Sequence, residues 1–381
     1  MTKRTAAVAG AGIAGLAAAA ALARRGFEVR VFERTEDPRE FGAGIYLKEN
    51  SLPVLDRLGA GDEVAGNGVR IRSARIVEER NRVIVARSTE AERLIVVERA
   101  VLHTALRDAA LRAGVTLVTS TTVAGARPDG TLLLEGRDPV RADIVIAADG
   151  RNSRVRESLG LTRANRTLRS GATRLLIPRQ EEALSTEYWA GSRRVGVVPC
   201  SADETYVFII GPEKDQRAVR VPVDRAYWTG VLPWLAGVFD RITDDAGVHH
   251  AHAYVTCRAW TAGRVAIIGD AAHAQPPNLG QGAGLAIALA ARLAGEVGAG
   301  QDVPDALRTW EQRARPKANM VQRVTTAYDL VGNRTPAALL PLRARTFHGL
   351  STFRPTASQW EFYWRGGVSA PAPLTPAETA R

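Results

Sequence analysis

Gly10-Ala11-Gly12-Ile13-Ala14-Gly15 decides the fold through what stands on either side of it. Before it, Ala6-Ala7-Val8-Ala9 is a short apolar run of strand type. After it, Leu16 to Arg25 is rich in alanine, a strong helix former. Gly26 ends that helix, and Phe27-Glu28-Val29-Arg30-Val31-Phe32 alternates as a strand does. Glycine in such a loop permits the tight turn, lets main chain approach a pyrophosphate and allows helix to pack closely on strand. The helix N-terminus adds free N–H groups and partial positive charge. Glu33 closes the second strand, where a carboxylate can accept hydrogen bonds from a ribose. A GxGxxG by itself also makes a plain turn and fits NAD or FAD alike. Glu33 and the strand–helix context favour dinucleotide binding.

Outward from this unit the alternation continues. Arg99 to Ala113 has apolar residues at helical spacing, and Val115-Thr116-Leu117-Val118 reads as strand. Leu132-Leu133-Leu134 and Asp143-Ile144-Val145-Ile146-Ala147-Ala148 add further strands, so an α/β sheet with parallel members is expected. Between Leu168 and Thr256 the texture becomes β, as in Thr173-Arg174-Leu175-Leu176-Ile177 and Thr205-Tyr206-Val207-Phe208-Ile209-Ile210. The α/β texture returns at Gly263 to Gly269, and a helical pattern runs from Asp305 to about Leu330. The tail after Gly366, with Pro371, Pro373 and Pro376, is expected to be loosely ordered.

Composition excludes several classes. No run of about 18 apolar residues offers a membrane span, and the N-terminal apolar run carries the glycine pattern rather than a cleavage site. Two cysteines, Cys200 and Cys257, are too few for a disulfide framework and suit a cytoplasmic protein. The net charge of +11 raises nucleic acid as a partner. Only four of the 51 basic residues are lysines, and the arginines are scattered rather than clustered, so no nucleic-acid partner is expected.

Two more motifs share the chemistry of the first. Ala148-Asp149-Gly150-Arg151-Asn152-Ser153 follows a strand and alone is a turn. Ile268-Gly269-Asp270-Ala271-Ala272-His273 precedes Pro276-Pro277-Asn278-Leu279-Gly280-Gln281-Gly282-Ala283-Gly284, which opens an alanine-rich helix. Asp270 therefore falls at the carboxyl edge of the sheet, where ligands of such folds bind, with a second helix N-terminus beside it.

With these three motifs in this order, the chain resembles the single-component FAD-dependent aromatic hydroxylases related to para-hydroxybenzoate hydroxylase, from Val8 to around Pro316. The resemblance implies an FAD-binding Rossmann-like domain (1–74, 98–165 and 258–330), an inserted, mainly antiparallel β substrate domain (75–97 and 166–257), and a C-terminal helix and tail (331–381). It implies that Gly10, Gly12, Gly15, Glu33 and Arg34 hold the ADP half of non-covalent FAD and that Arg99 contacts the phosphates and ribityl region. Asp149 and Gly150 match a motif for FAD and nicotinamide, Asp270 a ribityl ligand, and Pro277, Gly280 and Gly282 the loop beside the flavin ring. After Gly-Gln-Gly most members carry asparagine and later Glu-Asp, whereas Gly284, Ala288 and Leu289 stand here. Phe41 to Leu47, Arg174 to Arg179 and Arg194 to Tyr206 are similar to a smaller branch that includes 2-methyl-3-hydroxypyridine-5-carboxylic acid oxygenase. In that branch the positions of Arg174, Arg194 and Tyr206 lie at the substrate.

The implied reaction is oxygenation of a small, anionic aromatic or N-heteroaromatic ring through a flavin C4a-hydroperoxide, with NADH or NADPH as transient reductant and molecular oxygen as co-substrate. Hydroxylation and ring opening both stay open. No second glycine-loop unit exists for the nicotinamide cofactor. A flavin halogenase would show Trp-x-Trp-x-Ile-Pro, which the sequence lacks. A flavin oxidoreductase without oxygen transfer, a hydroxylase of a larger natural-product aromatic and a non-catalytic flavin binder remain as alternatives. Arg174 and Arg194 read equally as surface arginines or as planar forks for a carboxylate or phenolate. Tyr206 reads as a core residue or as a donor to the ring. His273 reads as a packed residue of the flavin loop, and His249, His250 and His252 as a partly exposed strand cluster, since no further ligand set points to a metal. Trp228 and Trp234 read as core or its edge, Asp244-Asp245 as a solvated turn.

Overall fold

A computed structural model of the chain describes residues 3–40, 43–244, 247–298 and 302–352. Phe41, Gly42, Asp245 and the proline-rich tail, all read above, lie outside the described residues.

The strand Thr5–Ala9 lies between Ile144–Ala147 and Glu28–Phe32, parallel to both. Val265–Ile267 and Thr116–Val118 extend the sheet, again in parallel, and the short Thr261–Ala262 strand closes one edge antiparallel. Ala6 to Ala9, Ile144 to Ala147 and Val265 to Ile267 are all buried, as uninterrupted apolar strands must be when helices cover them. The helix Ile13–Ala23 is apolar on every side and packs against Gly282–Gly298, itself buried from Gly284 to Ala291. A helix without a polar face has to be enclosed. Because three central strands run the same way, their carboxyl ends deliver Gly10–Gly15, Ala148–Gly150 and Ile268–Asp270 to one edge.

Leu132 to Leu134 do not join this sheet. They pair antiparallel with Val123–Arg127 and Val140–Arg141 in a separate small sheet, since a short turn at Gly130 can connect only antiparallel neighbours.

The second large sheet has seven strands, in the order Val248–Cys257, Thr162–Pro178, Glu204–Pro212, Arg193–Pro199, Leu184–Ala190, Ser73–Val77 and Val83–Ser88. It is antiparallel except where Leu184–Ala190 meets Ser73–Val77. Trp228 is buried in a cluster with Val195, Val207 and Phe239, while Trp234 is 38% exposed. A small sheet of Gly44–Leu47, Ile95–Glu98 and Val69–Arg70 lies between the two large ones. The helix Val303–Arg334 packs on both the Rossmann-like and the β elements, and Leu340–Thr352 packs on Val83–Ser88. No helix of the described residues is long and apolar enough to cross a membrane.

Candidate active site at the carboxyl edge

The three glycines of the first motif have separate tasks. A Cβ on Gly10 (φ +95°) would sit 2.5 Å from the Ala148 carbonyl oxygen, and one on Gly15 2.0 Å from that of Gly10. Both positions are consumed by main chain meeting main chain. A Cβ on Gly12 would meet nothing within 4 Å. It faces open space at the first turn of Ile13–Ala23, whose N-cap has no side-chain partner. Gly150 and Gly282 look out on open space as well. Glu33 stands beside the loop, its Oε2 accepting from the Ala11 amide at 2.8 Å, and His103 Nε2 bonds the Ala11 carbonyl at 2.8 Å. Arg34 is exposed just beyond. Asp149 accepts from the Val155 amide at 3.2 Å through one oxygen, and its other, buried oxygen has no partner. Glycine-lined space, the uncapped N-terminus of Ile13–Ala23 and an orphaned carboxylate oxygen at one sheet edge fit a dinucleotide. These residues would hold FAD's pyrophosphate and polyol.

Further along the edge, Arg99 forks onto Glu40, with Nε and Nη2 donating at 2.7 and 3.0 Å. Burial pushes the Glu40 carboxyl up, but the Arg99 fork outweighs it and holds Glu40 below the usual carboxylate range. Asp270, exposed at the start of the short Asp270–His273 helix, is close enough to act on the charge of Arg99. Arg99 and Arg174 in turn act on Tyr206. Burial pushes its phenol up to about 12, against the pull of the two arginines. Tyr206 packs on Gly44, where a Cβ would lie 2.6 Å from the ring, and Tyr46 packs on Gly280 in the same way at 2.9 Å. Tyr46 bonds Ser185 at 2.8 Å. Pro277 is exposed at the tip of this loop. The structure thus brings Arg99, Asp270, Tyr206, Arg174 and Gly280 to one junction between the sheets.

Arg194 is placed differently. Its side chain is fully buried and bonded to Glu187, Asn278 and Asn333, at 2.9, 2.6 and 3.1 Å. Arg174 is half-buried and has no carboxylate partner among the described residues. Its Nη2 donates to His250 Nδ1 at 3.0 Å, so that nitrogen is an acceptor and His250 is neutral. Partial burial, then Arg174, lowers the His250 pKa in the same sense.

The histidine cluster is partly exposed: His250 is exposed, His249 half-buried and His252 buried. His249 bonds Thr173 and Glu213, whereas His252 is buried, its Nδ1 donating to Asp329 at 3.0 Å. Alternation along the strand parts His249 from its neighbours, and the long C-terminal helix covers only the His252 end. His273 is buried against Trp260, and burial lowers its pKa to about 4. Asp244 pairs with Arg225 on the surface.

Sequence reasoning passed over Glu40, Lys48 and Asp329, quoted Tyr46 without a role, and read His250 as part of the strand cluster. Lys48 is buried and donates to the Leu279 carbonyl at 2.8 Å, with its pKa lowered to about 7 by burial and Arg87. A lysine ending the strand Gly44–Leu47, and an aspartate in phase with the buried stripe of a helix, were the available signals.

Residues 3–325 match the family described as FAD binding domain. The chain is 35% identical over 344 residues to 2-heptyl-3-hydroxy-4(1H)-quinolone synthase of Mycobacteroides abscessus, covering 87% of this chain and 92% of that one. It is 30% identical over 346 residues to 6-hydroxynicotinate 3-monooxygenase of Bordetella bronchiseptica, covering 84% and 90%. The solved tetrameric form of 2-methyl-3-hydroxypyridine-5-carboxylic acid oxygenase superposes with a TM-score of 0.83 at 32% identity, over 91% of this chain and 97% of that one. The chain belongs to the FAD-dependent aromatic monooxygenases of the FAD binding domain family.

Proposed function

We propose that this monooxygenase hydroxylates a ring carbon of an oxygenated N-heteroaromatic, with a 2-alkyl-4(1H)-quinolone as the favoured substrate class. The carrying observation is Arg174, a cation with no ion pair among the described residues, grouped electrostatically with Tyr206, Arg99 and Glu40 at the sheet junction. Such a site receives a ring oxygen as carbonyl or enolate, a feature of the quinolone, hydroxynicotinate and hydroxypyridine compounds named in the relatives. The 35% identity to the quinolone synthase, against 30% to the hydroxynicotinate monooxygenase, favours the quinolone, and the buried cluster of Val69, Ile71, Val96 and Val198 backs Tyr206.

When bound, FAD reduced by NAD(P)H and then reacting with oxygen supplies an electrophilic oxygen atom. The balance is one ring C–H, O2, NAD(P)H and a proton giving C–OH, water and NAD(P)+. The chain's own work is positional. The fork of Arg174 orients the ring oxygen, the faces of Tyr206 and Tyr46 set the plane of the ring, and the apolar cluster limits water. His250, held neutral, can accept a proton at Nδ1 only if Arg174 turns away, so it orients rather than titrates in the resting site.

The test is FAD-loaded protein with NADH or NADPH and, in turn, 2-heptyl-4(1H)-quinolone, 6-hydroxynicotinate and 2-methyl-3-hydroxypyridine-5-carboxylate. Stimulated oxidation with a product heavier by one oxygen atom is expected for the quinolone. A response to a carboxylate alone moves the assignment to the pyridine acids. Arg174→Lys should weaken quinolone binding by about 1–3 kcal/mol, the worth of a hydrogen bond to a charged group.

A further inference from the structure

One face of the helix Val303–Arg334 bonds successive points of the Ala274–Asn278 segment. Gln322 Nε2 donates to the Ala274 carbonyl at 3.0 Å, and the Thr325 hydroxyl donates to the Pro276 carbonyl at 3.0 Å. Asn278 Nδ2 donates to the Thr325 carbonyl and to Asp329 Oδ1, each at 3.2 Å. Asn333 completes the face, its Nδ2 donating to Asp329 at 2.8 Å. Residues 322, 325, 329 and 333 recur at helical spacing, so a single stripe makes every bond.

Arg194 grips the same segment from the β sheet. Nη2 donates to Asn278 Oδ1 at 2.6 Å, Nε to Asn333 Oδ1 at 3.1 Å and Nη1 to Glu187 at 2.9 Å. The guanidinium lies 5.2 Å from the centre of the Tyr328 ring. It needs Gly332 beside it, since a Cβ there would come within 3.0 Å. Asp329 is anchored to the sheet by Ser170 at 2.6 Å and His252 at 3.0 Å. Every hydrogen-bonding nitrogen of Arg194 is thus directed at protein, and Asn278 joins the two grips.

We propose that the Gln322–Asn333 face, with Arg194 as its far anchor, is a strut that fixes the Ala274–Gly280 loop. Arg194 and Asp329 are then positioning residues acting through Asn278, and Arg174 is the arginine that meets substrate. The proposal rests on the family's placing this loop beside the flavin ring and does not depend on which ring is hydroxylated. A buried network with this many bonds holds one geometry, although His252 Nε2 is left without a partner, and a loop facing a reaction centre needs that constancy.

The experiment is hydrogen exchange of the 274–285 segment in FAD-loaded protein, for Asn278→Ala, Arg194→Lys, their double variant and Arg174→Lys. Exchange at Leu279 and Gly280 should quicken about tenfold in Asn278→Ala and Arg194→Lys. The double variant should exchange no faster than the faster single, because both changes cut one connection. Arg174→Lys should match wild type. In a parallel titration of the flavin spectrum with 2-heptyl-4(1H)-quinolone, Arg194→Lys should keep Kd within about threefold while product formed per NAD(P)H falls. Wild-type exchange in Arg194→Lys, with quinolone binding weakened about tenfold, would make Arg194 a substrate ligand and overturn the strut. If Arg194→Lys does not fold, wild-type exchange in Asn278→Ala overturns it alone. If the quinolone does not bind wild type, the exchange result still decides the strut and only the substrate reading fails.

Discussion

Two loops border the candidate site, and each is held in place by a different kind of force. The Gly10–Gly15 loop is fixed chiefly by contact of main chain with main chain. Gly15 presses on the Gly10 carbonyl and Gly10 on that of Ala148, so two absent side chains set the spacing. The Ala274–Gly280 loop is fixed by side chains from far along the chain: Arg194, Gln322, Thr325, Asp329 and the buried Lys48. The first arrangement is intolerant of bulk at Gly10 and Gly15. The second tolerates bulk at its tip but depends on charge. A pocket for pyrophosphate, common to many ligands, can be built from local backbone; a loop that must face one reacting ring is tuned through distant side chains.

Removing charge should separate the loops most. Arg194→Met removes the cation facing the partly buried Glu187 and the fully buried Asp329, and breaking such a buried pair costs about 3–5 kcal/mol. Denaturant unfolding should show that loss, and wild-type stability would mean the second loop is not held by charge. Gly15→Ala tests the first loop. With no room against the Gly10 carbonyl, it should cost about 1–3 kcal/mol or more by overpacking, read as a lowered Tm of the FAD-free protein.

Acid should act on the second loop through Asp329. Burial raises the Asp329 carboxyl, but His252, Ser170 and Arg194 outweigh it and hold the pKa at about 2, below the usual aspartate range. A folded-state pKa depressed in this way adds stability above the unfolded value, and that stability is lost as pH falls from about 4 through about 2. The contribution is about 2 kcal/mol. Stability measured against pH should show this limb, and Asp329→Asn should flatten it; an unchanged limb would show that the network does not hold the carboxylate charged.

The smallest effect on stability should come from Gly12→Ala. Its Cβ enters empty space, so folding should change by about 1 kcal/mol or less. The same methyl group stands where the pyrophosphate must approach, and FAD retention after gel filtration should fall sharply. Normal FAD content in that variant would place the cofactor elsewhere.

The sequence by itself determined the Rossmann-like half and its ligand. Strand, glycine loop, helix and strand are adjacent in the chain, and steric rules for glycine and periodicity act over a few residues. The parallel direction of three such strands then brought Asp149 and Asp270 to the edge shared with Gly12. Leu132 to Leu134 were legible as strand but not as members of a separate sheet, since pairing is a property of neighbours in space. Arg174 and Arg194 looked alike in sequence, each an arginine on a β strand. Tertiary structure separated them by placing the carboxylate of Glu187 and the amides of Asn278 and Asn333 around one guanidinium and, among the described residues, a neutral imidazole as the hydrogen-bond partner of the other. Local pattern records which residues a chain offers; Coulomb energy and desolvation, which depend on where distant residues meet, decide what each charged group does.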